Sequence, residues 1–303
     1  MKFAFRPCLL AALCAATASP TASGSGPAPL PIADIHLHYK WNQAESLNPQ
    51  EALQRLRANH VVLGVVIGTP PERALDLSAL APDTVRAWYG PYRTPRDWSR
   101  WYRDESLPVR ARAALAGGRY QGIGELHLIG GFAPRSEHAG IAALFEVAGE
   151  FSVPVLAHVE FGRADYVIGL CSAHARTRIL LAHAGAPMSV AQVARALEAC
   201  PNLFVELSAR DPWRYGSSPI ADEQGRLLPA WRELVLNHAD RFMVGSDPVW
   251  PVDQLDAWDS VDTGWDRIGD FLDFHRGWLA DTPEPARSDI ASRNALRLFG
   301  LGP

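Results

Sequence analysis

The feature that most constrains the fold is an alternation repeated eight times. Short apolar runs recur as "LPIADIHLH" (30–38), "VVLGVVIG" (61–68), "TVRAWYG" (84–90), "GIGELHLI" (122–129), "VPVLAHVE" (153–160), "RILLAHAG" (178–185), "LFVELSA" (203–209) and "RFMVGSD" (241–247). Between them stand stretches with apolar residues at i, i+3 and i+4. Examples are 49–59, 139–151, 189–199, 229–239, 265–280 and 286–300. Strand-length runs alternating with amphipathic helix-length stretches predict parallel strands joined by crossover helices. Eight such units predict an α/β fold, a closed (β/α)8 barrel of TIM type in a single domain. About 250 residues is typical of that fold, and the chain has 303. An open doubly wound sheet is the competing architecture. It usually carries a glycine-rich turn after its first strand, and here that turn reads "HLHYK". No G-x-G-x-x-G, G-x-S-x-G or phosphate loop is present.

The N-terminus reads as an export signal. Lys2 and Arg6 precede "CLLAALCAA" (8–16), an apolar stretch too short to span a bilayer, and "ATA" (16–18) fits a small-x-small cleavage site. We expect a signal peptide over 1–18 with cleavage between 18 and 24, a linker over 19–29, and the barrel over 30–303. The predicted location is periplasmic or secreted. Signal removal leaves Cys171 and Cys200, which could pair in an oxidising compartment or stay as two buried thiols. Charged residues make up 20% of the chain and the net charge is -4. That balance gives no general attraction for nucleic acid, and no other segment reads as transmembrane. A small-molecule partner is expected, with the oligomeric state left open.

Barrel chemistry sits at the C-terminal ends of the strands. There the runs carry polar residues: His36 and His38 on the first, Glu125 on the fourth, His158 on the fifth, His183 on the sixth and Asp247 on the eighth. Residues two apart on a strand share a face, so His36 and His38 point the same way. Singly, each has an ordinary explanation. A strand histidine is often a hydrogen-bonded core residue, and Asp247 before Pro248 could cap a helix. Together they would form a buried polar cluster that a divalent metal would stabilise by coordination.

These motifs resemble the amidohydrolase superfamily, metal-dependent hydrolases on a (β/α)8 barrel. The carriers are "DIHLH", "GIGELH", "LAHVE", "LAHAG" and "VGSD", and "SRNALRLFG" (292–300) is similar to the closing helix of the amidohydrolase-2 and TatD-like branches. The resemblance implies His36, His38 and Asp247 around one metal. His158 and His183 would hold a second, or divide between metal and substrate. Many relatives bridge two metals with a carboxylated lysine on strand four. The only lysines here are Lys2 and Lys40, and Glu125 takes that position, as in the TatD-like branch. Single-metal relatives need no ligand there, so one or two divalent ions, zinc foremost, rest on Glu125. The implied reaction uses a metal-activated hydroxide on a C–N or C–O bond of a small amide, lactone or ester. Asp247 would move the proton and His183 would steady the oxyanion. Alternatives are a TatD-like phosphodiesterase or nuclease, a single-metal decarboxylase, and a non-catalytic binding protein on the same barrel.

Four residues are candidates for touching substrate. His127 and Glu160 each lie two past a proposed ligand and share its face, where they could instead hold a histidine tautomer. Arg210 sits after strand seven, where it could clamp a carboxylate or phosphate. Trp250 could wall a pocket, with Trp213 and Tyr215. The segment 92–112 mixes six arginines with Trp98, Trp101 and two tyrosines. It reads as a lid over the barrel mouth or as an ordinary solvated helix.

Overall fold

The computed structural model describes residues 28–128, 137–159, 163–214, 219–251 and 260–302. The predicted signal peptide, most of the linker, Glu160 and Tyr215 lie outside these residues. Eight strands follow the predicted runs: β1 Ile32–Lys40, β2 Val61–Thr69, β3 Val85–Trp88, β4 Ile123–His127, β5 Val155–His158, β6 Ile179–Leu181, β7 Leu203–Glu206 and β8 Phe242–Met243. The helices are α1 Trp41–Ala44, α2 Pro49–Ala58, α3 Glu72–Ser78, α4 Leu107–Ala116, α5 Ala139–Glu150, α6 Ala164–Ala173, α7 Val190–Ala199, α8 Pro229–Asn237, α9 Ile268–Ala280, α10 Ala286–Ser288 and α11 Asn294–Leu298. Every ladder is parallel, in the orders β1-β2-β3 and β4-β5-β6-β7-β8. Parallel bridges Tyr89–Ile123 and Asp34–Val244 join the two sheets at both seams. The strands therefore follow one another around a ring, the (β/α)8 arrangement.

Local chemistry explains the helix boundaries. Asn48 accepts from the Glu51 N–H while Glu51 returns a bond to the Asn48 N–H, and Pro49 occupies the first turn. This reciprocal cap starts α2. Ser189 and Gln192 do the same for α7. The predicted helix over 286–300 is interrupted by a π turn at Asp289–Arg293. Beyond it, the Asn294 side-chain amide donates to the carbonyls of Ala239 and Phe242 at 2.7 Å each. Ala295, Leu298 and Phe299 then join Ala33, Ile35, Leu63, Val65 and Trp88 in the barrel interior. The larger apolar layer lies between strands and helices. Cys171 in α6 and Cys200 after α7 are joined by a disulfide with Cα atoms 5.7 Å apart. Among the described residues no helix is long and apolar enough to cross a membrane.

Candidate metal centre

Two strands change register just where the polar residues begin. On β1, Asp34 pairs with Gly64 but Leu37 pairs with Val66, so one extra residue is accommodated. Below this bulge, Ala33 and Ile35 belong to the interior apolar layer. Above it, Leu37 and Tyr39 pack toward the helices, and His36 and His38 take the inward face. On β4 the same shift lies between Ile123 and Leu126 and turns Glu125 inward. Bulges commonly re-aim a side chain in this way. Gly124 has φ +141°, and an added Cβ would meet the Leu156 carbonyl oxygen at 2.7 Å, so the approach of β4 to β5 requires glycine. Gly245 likewise leaves room for His36, whose Cβ would stand 2.9 Å from an added one.

His183 and Asp247 lie past the strands predicted to carry them. β6 stops at Leu181, and His183 sits in a following turn with φ 54°. β8 stops at Met243, and Asp247 has φ 44°. Residues 248–251 are not helical, so Asp247 is not the cap of an adjoining helix. Its N–H donates to the His36 carbonyl at 2.8 Å.

All six predicted ligands meet. The Nε2 atoms of His36 and His38 are 3.1 Å apart. They lie 3.5 and 3.2 Å from Glu125 Oε2, and 3.9 and 3.5 Å from Asp247 Oδ1. The other oxygen of the carboxylate, Glu125 Oε1, is 2.7 Å from His158 Nδ1 and 3.3 Å from His183 Nε2. One carboxylate thus offers one oxygen to each pair of histidines. Donors placed tetrahedrally around a common zinc ion stand roughly 3.3 Å apart, so the spacings among His36, His38 and Glu125 fit a divalent cation, whereas His158 Nδ1 and Glu125 Oε1 stand at direct hydrogen-bond distance.

The imidazoles face the same way. His36 Nδ1 lies 3.0 Å from Glu206 Oε1, and His183 Nδ1 lies 3.1 Å from the Ser208 carbonyl. A carboxylate and a carbonyl only accept. Each Nδ1 therefore carries a proton and each Nε2 faces Glu125. Burial would lower the His36 imidazole, but Glu125, Asp247 and Glu206 raise it well above its ordinary range. The field follows the geometry. Burial alone would raise the Glu125 carboxyl, but His127, His36 and His158 hold it well below the usual range. Asp247 is lowered too, against its burial, by His36, His183, His38 and Arg214.

A profile of the amidohydrolase family matches residues 33–301. The chain belongs to the amidohydrolase family. Among curated proteins none matches. The solved structures similar to this amidohydrolase share its fold at low identity. A Pseudomonas putida protein provisionally named 2-pyrone-4,6-dicarboxylic acid hydrolase is 20% identical, with TM-score 0.60 over 90% of this chain and 98% of its own. An amidohydrolase from Burkholderia multivorans, solved with bound zinc, is 18% identical, with TM-score 0.57 over 89% and 99%. A mutant of a PTE-like lactonase from Deinococcus radiodurans is 15% identical, with TM-score 0.53 over 90% and 96%.

The remaining candidates of this amidohydrolase are placed as follows. Arg210 is 4% exposed and donates to the carbonyls of His183 and Ala186, with its guanidinium over Trp231. It braces the turn that carries His183. Trp250 is half-buried, with Arg267 4.2 Å above its ring. His127 Nε2 lies 3.5 Å from Glu125 Oε2. The segment 92–112 holds two 3-10 turns, Pro95–Asp97 and Trp101–Arg103, before α4. It brings Tyr92, Trp98 and Trp101 against His127. Three of its arginines, Arg93, Arg110 and Arg112, pair with Glu72, Asp104 and Glu150.

Sequence reasoning missed the residues that hold the predicted ligands. Glu206 on β7 is fully buried. It accepts from His36 Nδ1, from the His183 N–H at 2.8 Å, and from the Ser208 N–H and hydroxyl at 2.7 and 3.0 Å. A signal existed, since a glutamate inside the apolar run "LFVELSA" incurs the same burial cost that marked Glu125. Asp34 accepts from the backbone N–H groups of His36 and Ser246, at 3.3 and 2.9 Å, tying β1 to β8. Arg214, 2% exposed and paired with Asp211, donates to the carbonyls of Ser246 and Asp247. These bonds brace a left-handed backbone that is unfavourable for a non-glycine residue.

Proposed function

We propose that this amidohydrolase is an exported, two-metal hydrolase of a small amide, ester or lactone. The observation that carries the reading is Glu125, with one oxygen toward His36 and His38 and the other toward His158 and His183. His36, His38, Glu125 and Asp247 would hold one ion, and Glu125, His158 and His183 the second. Zinc suits this mixture of imidazole and carboxylate donors. Divalent ions so held lower the pKa of water toward neutrality and polarise the substrate oxygen.

The chain's own groups do the rest. Asp247 Oδ1 faces the His36–His38 edge, where it can take a proton from the attacking water and return it to the leaving group. Arg214 fixes the backbone that aims it. Glu206 and Ser208 keep the His36 and His183 lone pairs directed inward. His127, Arg210, Glu160 and Trp250 remain the candidates for the substrate side, and Arg210 would act there through the His183 turn. A lactone heads the list of substrates because two of the similar structures bear the names of cyclic-ester hydrolases. Three of the six arginines of segment 92–112 are already ion-paired, which makes a phosphodiester less attractive.

The test joins metal analysis of the purified protein to hydrolysis of lactones, N-acyl amino acids and phosphodiesters. Two ions per chain and turnover of a lactone or amide are expected. A protein that is active and metal-free would refute the reading.

A further inference from the structure

We propose that His127 is a locked N–H donor rather than a metal ligand, and that it receives a substrate oxygen beside Glu125. The substrate half rests on the hydrolase reading above; the tautomer does not. The Tyr92 hydroxyl accepts the backbone N–H of His127 at 2.9 Å and lies 2.7 Å from its Nδ1. A phenol has one proton to give. Tyr92 is buried, and among the described residues its hydroxyl meets no acceptor besides Nδ1. Turning the proton elsewhere would leave a buried donor unsatisfied. The hydroxyl therefore donates to Nδ1, and the imidazole proton sits on Nε2.

That assignment separates two uses of the same residue. Glu125, His127 and His158 lie close enough to hold a cation. However, the His127 Nδ1 lone pair is engaged by Tyr92, and its Nε2 bears hydrogen. Neither nitrogen can coordinate as the neutral imidazole stands. The Nε2–H lies 3.5 Å from Glu125 Oε2, beyond the usual range for a direct bond. The ring is also fixed in orientation. Trp98 and His158 stand 5.3 and 4.7 Å from it between centroids, and the Trp101 indole N–H donates to the His127 carbonyl at 3.3 Å. The side chain is 16% exposed, against 11% for His38 and 6% for His158. A rigid donor at the open edge of the cluster suits a carbonyl or carboxylate oxygen.

Side-chain 15N NMR of histidine-labelled protein, metal-free and zinc-loaded, reads the tautomer directly. The Nε2–H form is expected for His127 in both states, with Tyr92→Phe releasing the lock. Inorganic phosphate serves as the oxygen-bearing probe for the zinc-loaded protein. His127→Phe should leave zinc content unchanged and weaken phosphate binding about tenfold. His127→Gln, which retains an N–H donor, should recover part of that loss. An Nδ1–H tautomer, or zinc lost from both variants, would overturn the donor assignment. Phosphate that binds wild type and His127→Phe alike, or neither, overturns the substrate half. A wild type that takes up no zinc refutes the hydrolase reading while the metal-free tautomer still stands or falls by its own spectrum.

Discussion

Glu206→Gln is the sharpest probe of how the centre is held. The carboxylate receives four donors on two oxygens: His36 Nδ1, the His183 N–H and the Ser208 hydroxyl on Oε1, and the Ser208 N–H on Oε2. An amide can keep only one of those oxygens. If its oxygen stays at the crowded corner, its NH2 faces the Ser208 N–H, and one buried donor goes unmet at a cost of ~1–3 kcal/mol. Titration gives a second measure of the same loss. Burial would raise this carboxyl, but His36 and then His183 and the Ser208 N–H bring it down from 4.5 to about 2. That depression corresponds to ~3 kcal/mol of stability at neutral pH. The two figures describe one interaction and do not add. Because the folded pKa is depressed, the contribution is complete above pH 4.5 and is lost as pH falls toward 2. Urea unfolding of the metal-stripped proteins should therefore show Glu206→Gln ~2–3 kcal/mol less stable at pH 7, with a gap that narrows below pH 4.5. Chelator competition should show zinc affinity reduced roughly 10–100-fold, as expected when the partner that orients a ligating histidine is lost. Equal stability and equal zinc affinity in both proteins would refute the account. Lower stability with unchanged affinity would reduce Glu206 to a scaffold residue.

Three other outcomes are expected. Glu125→Gln should reduce bound metal from two ions per chain toward one, since an amide is a poor bridge for such cations; elemental analysis that finds one ion in both proteins would count against bridging. Asp247→Asn should keep the fold and part of the metal but lose roughly 10²–10⁴ in kcat, and near-normal turnover in a folded, metal-loaded variant removes Asp247 from the proton path. Reduction of Cys171–Cys200, 29 residues apart, should lower stability by ~3–4 kcal/mol. Mass spectrometry that finds two free thiols in protein purified without reductant would exclude the disulfide.

Much of the site was legible because the barrel makes it so. Eight strands pointing one way deliver their C-terminal ends to one face, so polar residues near those ends meet even when 211 positions apart, as His36 and Asp247 do. Period-two alternation placed His36 and His38 together, and the unlikeliness of a lone buried carboxylate marked Glu125. Periodicity could not show the bulges on β1 and β4, because the extra residue is defined only against the neighbouring strand. Nor could it show that β6 and β8 end early, leaving His183 and Asp247 on left-handed backbone held by Arg210 and Arg214. Those braces come from the loop after β7, and their partners are backbone carbonyls, which carry no residue code.

The sequence by itself determined the alternation, hence the barrel, and the identity of the six groups at its mouth. Tertiary structure alone decided their order. It divided the oxygens of Glu125 between two pairs of histidines, set the tautomers of His36 and His183 through Glu206 and Ser208, and laid Tyr92 against His127. The physical reason is that residue type states what a group can donate or accept, whereas the direction of a lone pair depends on the atom opposite it, and that atom is supplied by a different strand.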